Sequence, residues 1–440
     1  MSVFAGQATT PGSVRQIPGS RASPHPAPAA RTADAVWFVA RHGVLPWVML
    51  IVTVVCAAVL GMRGAPWRGD LLWIVDWLPI GHLAIAPVVA GGAAIDIARL
   101  SVGTRHLEDI RWWRSPGSVI TLAYATGVGG TYVTAMLVAA VIDLPPRLDP
   151  RALLGVGVQL LMLALFAALG TLVGRVLGPV LGGVLAAILA LTAIYLLSAR
   201  TEHIALLYAG ASVVSRVGRS YDVAYLGSQA GLLSGLVVAL VLMRPGVVRG
   251  RWRRAGERSV AAIAVGAVVV AAFVGPSSRL THTDTPPDLC SDVVGVKVCL
   301  YAEHARLQGE VAAQLSRIFD GARAAGYDDL VPREVREVPS SGVTSWKGPQ
   351  ILLDGPLGGG AVDVETLVQD VVIPYHCMDG SGETSDYERF AADALALQST
   401  WLALIESEQP SVSGPAGPRL TPQDAARVMA DLRACGESSR

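Results

Sequence analysis

The sequence predicts a polytopic α-helical membrane protein of about seven transmembrane helices, with a cytosolic N-terminus and a C-terminal extracytoplasmic α/β domain. Three observations predict it. The 440-residue chain is 52% hydrophobic and only 16% charged, too apolar for a soluble globular protein of this length. Apolar runs of roughly 20 residues, enough to cross about 30 Å of hydrocarbon, recur up to position 275. Beyond them the pattern turns to mixed strand-like and helical periods, and four of the five cysteines fall there.

Residues 1–40 read as a disordered cytosolic tail, because the first 33 positions hold Pro, Ser, Ala, Gly and Arg with no acidic residue and no apolar run. The first apolar run begins only at Val44 and leads to no cleavage-site pattern, so it is expected to remain as an anchor rather than a signal peptide. Candidate spans follow at 44–62, 78–98, 119–142, 152–174, 176–199, 224–243 and 259–275. The stretch 152–199 is long enough for two of them, and "VGRVLGP" sets a turn at its midpoint, around Arg175 and Pro179. This divides the chain into a six-helix membrane domain (41–245), a basic cytosolic loop with a seventh helix (246–275) and an external domain (276–440).

Arginine placement orients the helices. The segment "RPGVVRGRWRRAGER" between the sixth and seventh spans holds six arginines, which places it in the cytosol and sends residues 276–440 outside. Formal net charge is zero, so nothing global points to nucleic acid. Lysine occurs only at Lys297 and Lys347; with the Ala, Gly and Val richness, that suggests a high-GC genome.

The parity of crossings decides the cysteine chemistry. Cys56 lies inside the first span and reads as a small packing residue. Cys290, Cys299, Cys377 and Cys435 lie in the external segment, where an even count favours two disulfides. Three pairings are possible; "CSDVVGVKVC" reads as two β-prone arms about Gly295, which favours Cys290 with Cys299 and leaves Cys377 with Cys435. In the same domain "VGVKVCLY" and "QILLDGP" read as strands, while 305–325, 361–372 and 384–408 read as helices. The last helix starts at "TPQD", with Thr421 as cap, Pro422 in the first turn and Asp424 three beyond the cap.

No GxxxxGK, HExxH or GxSxG pattern occurs, so the chain carries no P-loop and neither of two common hydrolase signatures. Glu303, His304, Glu310 and His376 are chemically able to converge on zinc. The plainer account of the adjacent Glu303 and His304 is helix capping, where a strand gives way to a helix and acidic groups favour the N-terminus, or domain packing. Asp76 and Asp143 sit at predicted helix ends, within reach of water, and call for no functional explanation. Asp96 lies deeper, one turn before Arg99; it is the one intramembrane ionisable candidate, with local pairing the plainer account. "AGGAA" and "LGGVLAA" read as close-packing helix faces. The loop "RLSVGTRHLEDIRWWRSPGS" suits an interfacial or partner-facing amphipathic helix, with Trp112 and Trp113 at headgroup level. "HIALLYAGASVV" in the 200–223 loop is too short to cross, and either dips into the membrane or lies on it.

The first six spans resemble a type-2 ABC exporter permease. The carrying features are "APVVAGGAAIDIARLSVGTRHLEDIRWWRSPGS", a second helix leading into a charged cytosolic segment; "ALGTLVGRVLGPVLGGVLAA", a Gly-rich fourth helix with an arginine at its turn; and the short apolar element between helices five and six. The resemblance covers about residues 40–245. It implies that the 99–118 segment, with Arg105, Glu108, Asp109, Arg111, Trp112 and Trp113, is a coupling helix docking on a separate ATPase subunit, and that the permease dimerises. The seventh helix and external domain depart from that family. The whole arrangement resembles permease-like membrane proteins of actinobacteria in which a "VC…EH" element follows the last helix, a group with no established activity to carry over.

The expectation is therefore a non-enzymatic, cofactor-free, multi-pass plasma-membrane subunit of an ABC-type export or resistance system, with the lipid bilayer, an ATPase chain and a second copy as partners. A membrane-anchored external sensor or binding protein is the alternative, and a zinc-dependent external hydrolase a third.

Overall fold

The computed structural model describes residues 32–104, 115–197, 207–243, 278–283, 285–339, 348–353, 362–372, 384–406 and 419–434, with a few single positions between them. The first half is a helix bundle: α1 (Thr32–His42), α2 (Leu45–Gly61), α3 (Leu71–Trp77), α4 (His82–Thr104), α5 (Pro116–Ile142), α6 (Arg151–Leu177), α7 (Pro179–Leu197) and α8 (Val223–Leu242). Among the described residues six helical segments are long and apolar enough to cross a membrane, from Leu45–Gly64 to Val223–Leu242. The seventh expected span (259–275), apart from single positions, the basic loop before it and residues 105–114 of the expected coupling segment 99–118 lie outside the described residues; the ends of that segment are the last turns of α4 and the start of α5.

Local chemistry fixes most of the boundaries. Asp70, Ser115 and Asp222 cap α3, α5 and α8 by accepting from the N–H groups of Trp73, Ser118 and Tyr225 at 3.0, 3.2 and 2.8 Å. The expected turn between the fourth and fifth spans is Gly178, at φ 79°, followed by Pro179 as the first residue of α7. Two differences from the sequence reading appear at the N-terminal side. Helix α1 begins at Thr32, inside the stretch 1–40 read as tail, and Val39 on it is buried. The second span is broken at its start, where α3 runs through a single 3₁₀ turn (Leu78–Gly81) into α4.

The bundle core follows the predicted glycine faces. Helices α4, α6 and α7 meet with backbones almost touching: a Cβ at Gly170 would lie 2.1 Å from the Ala90 carbonyl oxygen, and one at Gly174 would lie 2.2 Å from that of Ala94. Gly182 faces Gly174, and Gly91 faces Gly183. The outward faces are apolar as well, with Val180, Val184, Ile188 and Tyr195 of α7 exposed, which suits hydrocarbon rather than water. Asp96 is buried and accepts from the Val44 N–H at 2.8 Å and from the Tyr124 hydroxyl at 2.9 Å. Its hydrogen-bond partners are thus the N-terminal end of α2 and a tyrosine of α5, 52 and 28 positions away in the chain.

The described residues between 289 and 434 form an α/β domain with a four-stranded sheet of order β3 (Leu289–Val293), β4 (Val296–Leu300), β5 (Glu334–Glu337), β6 (Gln350–Ile351). A short ribbon, β1 (Arg219–Tyr221) with β2 (Leu280–His282), precedes it. Strands β3 and β4 form the expected hairpin, with Val294 and Gly295 both at positive φ, 52° and 76°. Cys290 and Cys299 face each other across it and are bonded. Cys377, Cys435 and His376 lie outside the described residues, and with them the second expected disulfide. Strand β5, unforeseen in the sequence, runs parallel to β4 and β6, and the crossover from β4 is made through α9 (Gln308–Ala324). Helices α10 (Val364–Val372), α11 (Thr384–Glu406) and α12 (Pro422–Ala434) complete the layer. The cap of α12 is as expected, the Asp424 N–H donating to Thr421 Oγ1 at 3.2 Å. Val298, Val335 and Ile351 of the sheet pack on Leu315, Phe319 and Trp401.

Replacing both Cys290 and Cys299 with serine is expected to lower the domain's stability by about 2–3 kcal/mol, the closure entropy of so short a loop. Chemical denaturation of the full chain followed by Trp401 burial measures it, and an unchanged midpoint would be the contrary result.

Candidate functional site: the junction of bundle and domain

The buried charged side chains Asp70, Asp76, Arg216, Arg279, His304 and Glu337 collect where the α/β domain meets one end of the bundle. The ribbon β1–β2 places them there. β1 runs directly into α8, and β2 pairs with β1 in antiparallel register, Arg219 opposite His282 and Tyr221 opposite Leu280. Residues 280–282 therefore lie at the N-terminal end of α8, which at 20 residues is about 30 Å long.

At the centre of the junction is Asp76, and here the structure corrects the sequence reading. Asp76 is fully buried, not a rim carboxylate in reach of water. The reason is that α3 is covered by residues 207–221 and by β2, neither of which reads from the sequence as part of the bundle. Arg279 Nη1 reaches one Asp76 oxygen at 2.7 Å, and the Tyr221 hydroxyl donates to the same oxygen at 2.7 Å. Arg216 Nε lies 2.9 Å from the other oxygen, an ion pair whose angle falls short of a hydrogen bond. The Arg279 guanidinium also stacks over Tyr221, 4.8 Å from the ring centroid. Gly210, at φ 123°, is required at this point, since a Cβ there would lie 2.7 Å from both Asp76 Oδ1 and Arg279 Nη1.

Below Asp76 a second polar layer tightens the same loop. Gln159 of α6 donates to the carbonyls of Val75 at 2.7 Å and Ala209 at 3.3 Å, and accepts from the Tyr132 hydroxyl at 3.1 Å. Trp73 Nε1 donates to the Ser212 carbonyl at 3.2 Å. Of the apolar stretch 203–214, residues 203–206 lie outside the described residues, and Leu207 and Ala209 are buried in the bundle core.

Above Asp76 the contact is with the domain itself. The 3₁₀ turn Ala302–Leu307 sits on the segment between α2 and α3. Arg306 donates to the carbonyls of Pro66 at 2.9 Å and Arg68 at 3.3 Å, and Gly69 lies against the Glu303 carbonyl so closely that a Cβ would be 2.6 Å from it. Arg147 approaches Glu303 at 3.8 Å and pairs with Asp288 at 2.5 Å. His304 is buried, and its Nδ1 pairs with Glu337 Oε1, while the other oxygen of Glu337 accepts from the Tyr301 N–H at 2.8 Å. Burial opposes the imidazolium, but the carboxylates of Glu337 and Asp70 outweigh it and hold His304 above its ordinary value. Burial pushes the Asp70 carboxyl up to about 6, with the Glu303 charge adding to the rise.

Of the four residues chemically able to hold zinc, Glu303 and His304 stand at this contact, and Glu310 points elsewhere, accepting from the Val362 N–H at 2.5 Å. Among the described residues no three metal-ligating side chains surround a common point. The domain-packing account of Glu303 and His304 matches their position. Sequence reasoning missed Asp70, Asp76, Arg216, Tyr221, Arg279 and Glu337. The signal for Asp76 was present: a single carboxylate inside "LLWIVDWLPI", an apolar stretch that offers it no partner, implies a cation brought from elsewhere. Nothing local marks Arg279, which stands in a stretch that reads as linker.

The fold and site together define a helical bundle with six helices long and apolar enough to cross a membrane, and a disulfide-bonded α/β domain seated on one end of it. No family model, curated protein or solved structure matches the chain.

Proposed function

We propose that the chain is the permease-like membrane subunit of an ABC-type export or resistance system, set in the plasma membrane with its α/β domain on the extracytoplasmic side. The observation that carries the reading is the bundle itself: six apolar helices packed through glycines on α4, α6 and α7, in a chain whose sequence holds no P-loop. Such a bundle needs a second chain to bring ATP. The disulfide supports an oxidising compartment for the domain, and the arginine-rich 244–258 segment supports the cytosol for the opposite end.

The test is purification of the tagged full chain from native membranes in mild detergent. A stoichiometric P-loop ATPase chain is expected with it. Reproducible recovery without one would sink the proposal and favour an anchored sensor or binding protein.

A further inference from the structure

The bundle leaves the outward face of α1 bare. One side of this helix is fixed, since Val39 is buried and Val36 and Ala40 pack against the bundle core. The opposite side therefore has a defined direction, and it carries Trp37, 66% exposed, Phe38, 53% exposed, and the exposed bases Arg41 and His42. We propose that this face binds the cytosolic leaflet of the membrane, with Trp37 and Phe38 seated at the level of the lipid glycerol groups and Arg41 on the phosphate of an anionic phospholipid.

The face pairs an aromatic ring with a base one helical turn on, and does so twice. Trp37 stands four positions before Arg41, and Phe38 stands four before His42, with the last two rings stacked at 4.8 Å. Arg41 makes no ion pair or hydrogen bond among the described residues, so its charge is available to a ligand. Water would leave two large rings exposed, and hydrocarbon would strip the guanidinium of its hydration. The headgroup zone suits both, because aromatic rings concentrate there and arginine reaches the phosphates from it. The course of the chain gives the same level. The first helix long and apolar enough to span begins at Leu45, just after α1. Past Trp47, which is also exposed, the outward residues Leu50, Ile51 and Val54 of α2 are aliphatic. Between Arg41 and Leu50 the surface thus passes from aromatic and basic to aliphatic, as headgroups pass into hydrocarbon.

Charge selects the kind of lipid. Up to Gly43 the sequence holds four arginines, Arg15, Arg21, Arg31 and Arg41, against one acid, Asp34. A segment of that sign beside the start of a span favours an anionic leaflet over a zwitterionic one. The inference rests on the orientation proposed above and needs no ATPase chain, so purification of the protein without one leaves it standing.

The test is photo-crosslinking of the full chain carrying Trp37→p-benzoylphenylalanine, in nanodiscs of phosphatidylcholine and phosphatidylglycerol in equal amounts, with the products read by mass. The substitution falls on an exposed ring, and elution in size exclusion as for the unaltered protein confirms the fold. A phospholipid adduct at position 37 is expected, with phosphatidylglycerol exceeding phosphatidylcholine several-fold. Adding Arg41→Gln is expected to keep the adduct yield and to bring the two lipids close to parity. A folded protein without a lipid adduct would overturn the proposal. So would a crosslink to a second copy of the chain in place of lipid, which would mark the face as an interface between copies, and so would a phosphatidylglycerol preference unchanged by Arg41→Gln.

Discussion

Asp76→Ala is expected to destabilise the folded protein by about 3–5 kcal/mol, the scale of removing one partner from a buried ion pair. The expectation rests on what the substitution leaves behind. Arg216 and Arg279 are both nearly inaccessible to solvent, and Asp76 is the carboxylate that both ion pairs reach. Without it two guanidinium groups share a site closed to water, and the Tyr221 hydroxyl loses its acceptor. Both outer elements are tied to the bundle there, since Arg216 holds the 207–221 loop and Arg279 holds β2. The damage should therefore spread from α3 to the seating of the whole α/β domain. Thermal unfolding of the detergent-solubilised chain, followed by the fluorescence of Trp73 and Trp77 on either side of the site, reads the effect. Arg147→Ala is the contrast, since it breaks an exposed pair with Asp288 and is expected to cost less than about 1 kcal/mol. Equal melting shifts for the two variants would show that burial of the Asp76 cluster contributes nothing.

Why Asp76 was misread shows where the sequence stops informing. The span beside it, 78–98, was legible because about twenty mostly apolar residues have one economical fate, and the hairpin at Cys290–Cys299 was legible because strand period, Gly295 and the cysteine spacing agree. So was the α12 cap, which is encoded within four residues from Thr421 to Asp424. Each of these signals is local. The junction is not: Asp76 meets Arg279 across 203 positions and Tyr221 across 145. Neither arginine advertises a destination, because "SSRLTH" and "VVSRVG" carry no period that fixes a face. Strand β5 was missed for a related reason. "EVRE" is short and charged at three of its four positions, and it is a strand because β4 and β6 take up its backbone on both sides.

The same contrast explains the two roles in "AEH". As sequence, Glu303 and His304 look like a helix start; in the structure they stand on a 3₁₀ turn, with His304 turned inward to Glu337 and the Glu303 backbone against Gly69. Gly69, at φ 82°, is what lets the chain between α2 and α3 pass so close. The contact is therefore specified from both sides: by a residue without a side chain in the bundle, and by a buried ion pair in the domain.

Gly170→Ala and Gly174→Ala are expected to be the most disruptive small substitutions in the bundle, each costing about 3 kcal/mol or more, at the upper end of overpacking effects. The added methyl carbon would fall 2.1 or 2.2 Å from a carbonyl oxygen of α4, and a helix backbone cannot yield as a flexible side chain does. Relief requires α4 and α6 to part along their length, because positions 170 and 174 are one turn apart on α6 and meet Ala90 and Ala94, one turn apart on α4. Parting them also strips the third helix of the seam, since Gly182 of α7 packs on Gly174 and Gly183 of α7 on Ile95 and Gly91 of α4. The matched controls are Gly157→Ala on α6 and Gly130→Ala on α5, where an added Cβ meets nothing within 4 Å. There the better helix propensity of alanine, up to about 1 kcal/mol in water, makes the change neutral or slightly stabilising. Thermostability in detergent by size-exclusion recovery, with all four variants in one background, separates steric fit from helix propensity. Similar melting of the 157 and 170 variants would mean that α4 and α6 do not meet at backbone distance, and the packing on which the permease reading leans would fall with it.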